Sequence, residues 1–104
     1  MLIMEQEEHI HIISSGENIH NTYHLAISSN RITRTCVIVE EDIFRKSPED
    51  DAARLERKEK IRAAIREVKT LSEKMKISYE TIRIESVTLE SVRDAVLEIY
   101  NKYP

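Results

Sequence analysis

The stretch TRTCVIV, residues 33–39, gives the clearest strand signal in this sequence. Five of its seven residues are β-branched, and such side chains pack well on a pleated surface. Val37 and Val39 alternate with Cys36 and Ile38 in its second half. The pattern predicts a β-strand from Thr33 to Val39, and the remaining elements can be placed around it.

Two further strands are predicted, one on each side of this segment. Upstream, Ile10 to Ile13 is a short β-branched run that ends at Ser14-Ser15-Gly16, which predicts a buried strand. Downstream, Tyr79 to Glu85 alternates with period two, and Ile82 and Ile84 face one way. Because its other face is polar, this third segment is typical of an edge strand.

Helical periodicity follows the first and third strands. Glu17 to Ser29 is predicted to be a helix that is capped by Asn18 or Ser15. Asn30 is its expected end, since asparagine tolerates the left-handed conformation. The last helix is predicted from Thr88, its cap, to Tyr103, with one apolar face. That face comprises Leu89, Val92, Val96, Ile99 and Tyr103.

The longest predicted helix runs from about Pro48 to Lys76, with Ser47 as its cap. Its apolar stripe comprises Leu55, Ile61, Ile65, Val68, Leu71 and Met75. Basic and acidic residues are interleaved on the other faces, which indicates solvated ion pairs. We expect its charged N-terminal half to project into solvent or to meet a partner.

The order of elements is β-α-β-α-β-α, which predicts an α/β fold with an open, parallel, three-stranded Rossmann-like sheet flanked by helices. The strand order is expected to be 3-2-1, because the half-polar third strand suits an edge. Three strands bury only a modest core. Residues 1–104 are therefore expected to be a single Rossmann-like domain that dimerises, or the N-terminal fragment of a larger doubly wound domain.

Composition excludes several classes of protein. The chain has 16 basic and 19 acidic residues among 104, so no excess of positive charge drives it toward nucleic acid. No apolar run is long enough to span a membrane, and residues 1–8 do not resemble a secretory signal. A single cysteine fits a reducing compartment. We expect a cytoplasmic protein with no membrane contact.

The most suggestive segment for function is the turn from the first strand into the first helix. Ligands of open α/β sheets bind at this edge, where backbone N–H groups and the helix dipole favour phosphate or carboxylate. Hydroxyl and amide side chains here suit a sugar or a base edge. The candidate ligand-binding residues are Ser14, Ser15, Gly16, Glu17, Asn18 and Asn21. A plain strand-to-helix turn with a polar cap is the alternative.

Other chemistry-bearing residues receive simpler interpretations. His9 with His11, and His20 with His24, have metal-ligand spacing, but solvated or core-edge histidines are favoured, and no metal or other cofactor is predicted. Cys36 is expected to act as a small hydrophobic residue. Acidic residues 40–42 end the second strand, where an acid can meet a ribose hydroxyl, but a solvated loop is favoured.

The segment from His9 to Glu41 resembles the opening of the CARF domain, the CRISPR-associated Rossmann-like sensor fold. The matching parts are the strand His11-Ile12-Ile13-Ser14, the turn Ser15-Gly16-Glu17 and the second strand Thr35–Glu40. Later elements match in layout, as in archaeal regulators that join this domain to a winged helix-turn-helix. The resemblance implies the N-terminal half of a homodimeric sensor that binds a small nucleotide, typically a cyclic oligoadenylate. Contact with DNA is expected only through a module that this chain lacks.

Three functions therefore stay open from the sequence. The first is a ligand-sensing regulatory domain of a transcriptional or CRISPR-associated regulator. The second is a fragment of a nucleotide-processing, ring-nuclease-like enzyme, with His20 as a conceivable acid or base but no assigned catalytic residue. The third is a structural dimerisation subunit. A homodimer is expected, formed by edge-to-edge pairing of the first strands or by helices near the carboxyl ends of the sheet.

Overall fold

The three predicted strands are present in the structure, a computed structural model that describes residues 8–103. They are β1 (Ile10–Ser14), β2 (Arg34–Glu40) and β3 (Ser78–Ile84), and they pair in parallel in the order β1-β2-β3. Ile12 lies opposite Cys36, which lies opposite Glu80. The predicted open, all-parallel α/β sheet is thus confirmed. The expectation about a secretory signal concerns residues 1–8, which lie outside the described range except for Glu8.

Burial follows from this order. β2 has a neighbour on each side, and residues 35–39 are all buried. In the described part of the chain β1 pairs only with β2, and Ile12 remains 38% exposed. The expectation that β1 is a buried strand is therefore wrong, because an apolar run does not reveal how many neighbours its strand acquires.

The three helices are α1 (Ile19–Ser29), α2 (Ala52–Lys74) and α3 (Leu89–Lys102). A short 3-10 turn over Glu41–Phe44 follows β2. α1 and α2 pack on the face of β2 that carries Val37 and Val39, where the main core forms. α3 packs on the opposite face, against Ile38 and Ile84. Two right-handed crossovers that advance in one direction place both of their helices on the same face, which explains this arrangement.

The start of α2 differs from the prediction. The helix begins at Ala52, and its cap is Asp51, whose Oδ1 accepts the Arg54 backbone N–H at 2.8 Å. Residues 47–50 form a separate turn, in which the Ser47 N–H donates to Asp50 Oδ2 at 3.0 Å. Ser47 therefore does not cap the helix and Pro48 is not its first residue. The Asp50 carboxylate is held by Lys58, and this tertiary contact fixes the turn outside the helix.

The left-handed residue also lies at a different helix end. Asn30 ends α1 in an extended conformation, with φ −135°, and its Nδ2 donates to the Ala26 carbonyl at 3.1 Å. Lys76, beyond α2, has φ 58°. There the Ile77 N–H donates to the Ser72 carbonyl at 2.8 Å, which closes a Schellman motif around a non-glycine residue.

The last helix begins as predicted but is only partly covered. Thr88 caps α3 by accepting the Ser91 N–H at 3.0 Å. Ile99 is buried, whereas Leu89 is 88% exposed and Val96 is 37% exposed. Leu89 and Val96 thus lie outside the core, because α3 packs mainly over β2 and β3 and leaves β1 uncovered.

A buried chain of hydroxyl groups joins α1, β2 and α2. The Tyr23 hydroxyl lies 2.6 Å from Thr35 Oγ1 and 2.8 Å from Ser72 Oγ, and Ser72 Oγ donates to the Val68 carbonyl at 2.7 Å. Because Ser72 uses its proton on Val68, the bonds run in one direction, from Thr35 to Tyr23 to Ser72. Each hydroxyl proton therefore has an acceptor inside the core.

The first prediction concerns this chain. Tyr23→Phe removes the acceptor of the buried Thr35 hydroxyl and should lower the free energy of unfolding by about 1–3 kcal/mol. Tyr79→Phe is the matched control, because the Tyr79 hydroxyl is buried without a hydrogen-bond partner in the described residues. Urea denaturation of the control should show equal or higher stability. An equal loss in both variants would contradict the assigned role of the Tyr23 hydroxyl.

The second prediction concerns the end of α2. Lys76→Gly should raise the free energy of unfolding by about 1 kcal/mol, because glycine has no Cβ to oppose the left-handed conformation. Lys76→Ala keeps the Cβ and serves as the control, which should stay close to the parent chain. Thermal and urea unfolding measure both variants. A destabilising glycine would show that the positive φ carries no strain.

Candidate functional site

The carboxyl ends of the three strands meet at one edge of the sheet and line a cleft of about 250 Å³. Ser14 and Ser15 come from the end of β1, Glu40 from the end of β2, and Ile84 from the end of β3. The first turns of α2 close another side with Arg54, Arg57 and Lys58. We call this space the carboxyl-edge cleft. It lies where ligands of open α/β sheets bind.

A wider depression of about 720 Å³ lies at the opposite edge, beside His9, His11 and Arg31. It is broadly open to solvent and is built from the start of β1 and the turn after α1. We place the candidate site in the smaller cleft, because hydroxyls, a carboxylate and guanidinium groups from separate elements converge there.

The residues predicted to bind a ligand divide into two groups. Ser14 and Ser15 line the carboxyl-edge cleft, whereas Gly16, Glu17, Asn18 and Asn21 do not. The Ser15 backbone N–H donates to the Ile38 carbonyl at 2.9 Å, so its hydroxyl is the group that is available to a ligand.

The turn itself has ordinary geometry. Asn18 is the N-cap of α1, but its side chain makes no capping hydrogen bond. A Cβ added to Gly16 would lie 3.6 Å from the Ile19 side chain, an ordinary contact, so the backbone does not require glycine. Glu17 lies at the rim, where its carboxylate is 3.7 Å from Arg57 Nε. The turn thus contributes to the cleft mainly through its serine hydroxyls.

Sequence reasoning missed the basic residues of the cleft. Arg54 and Arg57 were assigned to a solvated helix face, because acidic residues alternate with them along α2. The topology contained the missing signal. A helix that follows a parallel strand must start at the carboxyl edge of the sheet, so its first turns lie beside the loops that bind ligands.

A buried ion cluster fixes these first turns. Lys58 Nζ lies 2.6 Å from Asp50 Oδ2 and 3.0 Å from Asp42 Oδ2, and the lysine is 2% exposed. It also donates to the Arg45 carbonyl at 3.1 Å. The expectation that the charged half of α2 is solvated is therefore wrong for Lys58. These contacts hold the 3-10 turn (Glu41–Phe44) and the loop after it against α2.

The charges of the cluster shift one another's ionisation. The hydrogen bond from Lys58, together with that from the Ser47 N–H, holds the pKa of Asp50 below its usual value. Hydrogen bonds from Arg54 and Lys58 lower the pKa of Asp42 in the same way. The Asp50 carboxylate in turn raises the pKa of Lys58. All of these groups are thus charged near neutral pH.

Two ionisable groups of the cleft keep bonding capacity for a ligand. Arg54 is shared between Asp42 at 2.9 Å and Asp50 at 2.8 Å. Within residues 8–103, Arg57 has only the loose contact with Glu17, and its side chain is 73% exposed. The partly buried Glu40 carboxylate makes no hydrogen bond or ion pair with any residue in the range 8–103. As far as the described residues go, the cleft therefore presents one available cation, Arg57, and one available anion, Glu40.

The remaining candidate residues lie elsewhere. His20 is not among the side chains that line the cleft. Within residues 8–103, no group of three or more His, Cys, Asp or Glu side chains is arranged to hold a metal ion. Cys36 is buried, and burial together with its hydrogen bond to Glu80 raises the pKa of the thiol to about 12. The thiol is therefore protonated at neutral pH and acts as a small core residue.

Comparisons of the sequence with protein-family models, curated proteins and solved structures find no match. No helix in the described part of the chain is both long and apolar enough to cross a bilayer.

The third prediction uses the ion cluster. The pKa of Asp50 is lower in the folded chain than in the unfolded chain, so its contribution to stability is present above the unfolded pKa of about 4 and is lost as the pH falls through the folded pKa. Lys58→Met removes the buried cation beside this carboxylate and leaves it only the more exposed Arg54 among the described residues. We expect a lower urea midpoint at pH 7 and a smaller loss of stability on acidification than in the parent chain.

Lys60→Met is the matched control for this experiment. Lys60 lies two residues along the same helix, and its side chain is 60% exposed beside Glu56. The control should keep both the neutral-pH midpoint and the pH dependence of the parent chain, because an exposed pair contributes little. Identical behaviour of the two variants would show that burial of Lys58 has no energetic consequence.

Proposed function

We propose that this chain is the ligand-sensing part of a regulatory protein and that it binds a small nucleotide, such as a cyclic oligoadenylate, in the carboxyl-edge cleft. The observation that carries the proposal is the convergence of serine hydroxyls from the first turn with the available Arg57 guanidinium. Hydroxyls suit a sugar or a base edge, and guanidinium suits phosphate. The CARF resemblance of the first two strands points to the same ligand class.

The course of α3 supports membership in a larger doubly wound sheet. α1 and α2 cover one face and α3 the other, so the chain returns toward the unpaired edge of β1 after β3. A fourth strand beside β1 would extend the order 3-2-1 and would place a switch point at the end of β1. Ligands bind at such switch points, next to Ser14 and Ser15.

The size of the cleft supports a shared site. Its volume of about 250 Å³ is below the range of about 300–1,000 Å³ for small-molecule sites, so one nucleotide unit fits better than a whole cyclic ligand. A homodimer would supply the rest of the ligand site from a second copy. The exposed β1 edge and the uncovered side of α3 offer apolar surface for that contact. DNA binding belongs, in this proposal, to a separate module.

The fourth prediction tests the ligand class and the site together. Calorimetric titration with a cyclic oligoadenylate at low ionic strength should give saturable binding. Arg57→Gln should weaken it by at least about tenfold, since a hydrogen bond to a charged group contributes about 1.5–3 kcal/mol. Arg93→Gln is the control, because Arg93 lies on α3, is 63% exposed and contacts only Asp94 among charged groups of the described residues.

The outcomes separate the two parts of the proposal. An absence of binding by the parent chain would contradict the ligand class. Equal binding by the parent chain and Arg57→Gln would show that Arg57 does not supply the phosphate contact. A loss in the Arg93→Gln control as large as that in Arg57→Gln would indicate a general charge effect rather than a site.

A further inference from the structure

Glu40 differs from the two acidic residues that follow it. Glu41 lies 3.3 Å from Arg45 Nη2, and Asp42 binds both Arg54 and Lys58. Glu40 ends the central strand, is partly buried, and lines the cleft without a hydrogen-bond donor from residues 8–103. Its carboxylate is thus an acceptor that residues 8–103 leave without a donor.

The position of Glu40 restricts what its partner can be. A carboxylate only accepts hydrogen bonds when it is ionised, and its partial removal from water is costly unless a donor faces it. The nearby cations do not supply that donor, because Lys58 and Arg54 are engaged by Asp42 and Asp50. A bare phosphate would be repelled by Glu40. The cleft therefore suits a ligand that carries hydroxyl donors as well as an anionic group.

We propose that the cleft selects ribonucleotides over deoxyribonucleotides, with Glu40 accepting a hydrogen bond from the ribose 2′-hydroxyl. This inference rests on the proposed function, because Arg57 must hold the phosphate at the rim. Ser14 and Ser15 of the first turn line the same cleft as Glu40, and their hydroxyls can also bond to the sugar. Glu40, at the end of β2, thus sets the sugar specificity. Arg57, on α2, supplies the phosphate contact.

The test compares one ligand in two sugar forms. The full chain is titrated with a cyclic adenylate and with its 2′-deoxy analogue. The parent chain should bind the ribose form about tenfold more tightly, as expected for one charge-assisted hydrogen bond. Glu40→Ala should bring this ratio close to one and should leave binding of the deoxy form unchanged or stronger, since the repulsion of phosphate is also removed. Glu41→Ala is the matched control and should keep the ratio of the parent chain.

The possible results distinguish this inference from the proposed function. Equal binding of both sugar forms by the parent chain overturns the role of Glu40 and leaves nucleotide binding intact. No binding of either form overturns the proposed function and this inference with it. A ribose preference that survives Glu40→Ala assigns sugar recognition to another residue. Glu40→Gln keeps an acceptor oxygen and the side-chain size. An intermediate ratio of ribose to deoxy binding in this variant would show that the loss of sugar preference in Glu40→Ala does not come from misfolding.

Discussion

The burial of β2 on both faces and along both edges is the constraint on which the structure depends. A strand in that position is buried from Thr35 to Val39, so every polar group on it needs an internal partner. The Thr35 hydroxyl is satisfied by Tyr23, and the Cys36 thiol by Glu80. Glu40 is the first residue after this stretch, and it is only partly buried, so it can carry a charge without an internal partner. It lines the cleft.

The sequence predicted the elements better than their surroundings. β-branched runs and alternation identify strands locally, and Thr88 is a capping residue whatever packs nearby. The start of α2 was misplaced because Ser47 and Pro48 satisfy every local rule for a helix start. The contact between Asp50 and Lys58, eight residues apart, overrides that preference. Likewise, nothing local tells that Leu89 lies beyond the reach of the sheet.

The candidate site was predictable only where topology alone determines position. Ser14 and Ser15 follow the first strand and must lie at the carboxyl edge, so they could be named from the sequence. Glu40 ends the second strand, so its place at this edge could also be named, although its lack of a partner could not. Arg57 could not be named, because the same alternation of charges on α2 fits a solvated face and the wall of a cleft. Tertiary ion pairs determine which of these charges are available to a ligand. Lys58 and Arg54 are neutralised by acidic residues of other segments. The charges that lack such partners can be identified only in the folded structure.

The order β1-β2-β3 also bears on how the chain assembles during synthesis. Each strand pairs with the next one to leave the ribosome, so the sheet can grow stepwise without waiting for a distant segment. The two hydrogen bonds of the Tyr23 hydroxyl form at different stages of that growth. Tyr23 meets Thr35 across 12 residues, within the first β-α-β unit, but meets Ser72 across 49. Until α2 is made, the Tyr23 hydroxyl lacks its Ser72 acceptor and bonds to water, and the arrival of α2 buries it.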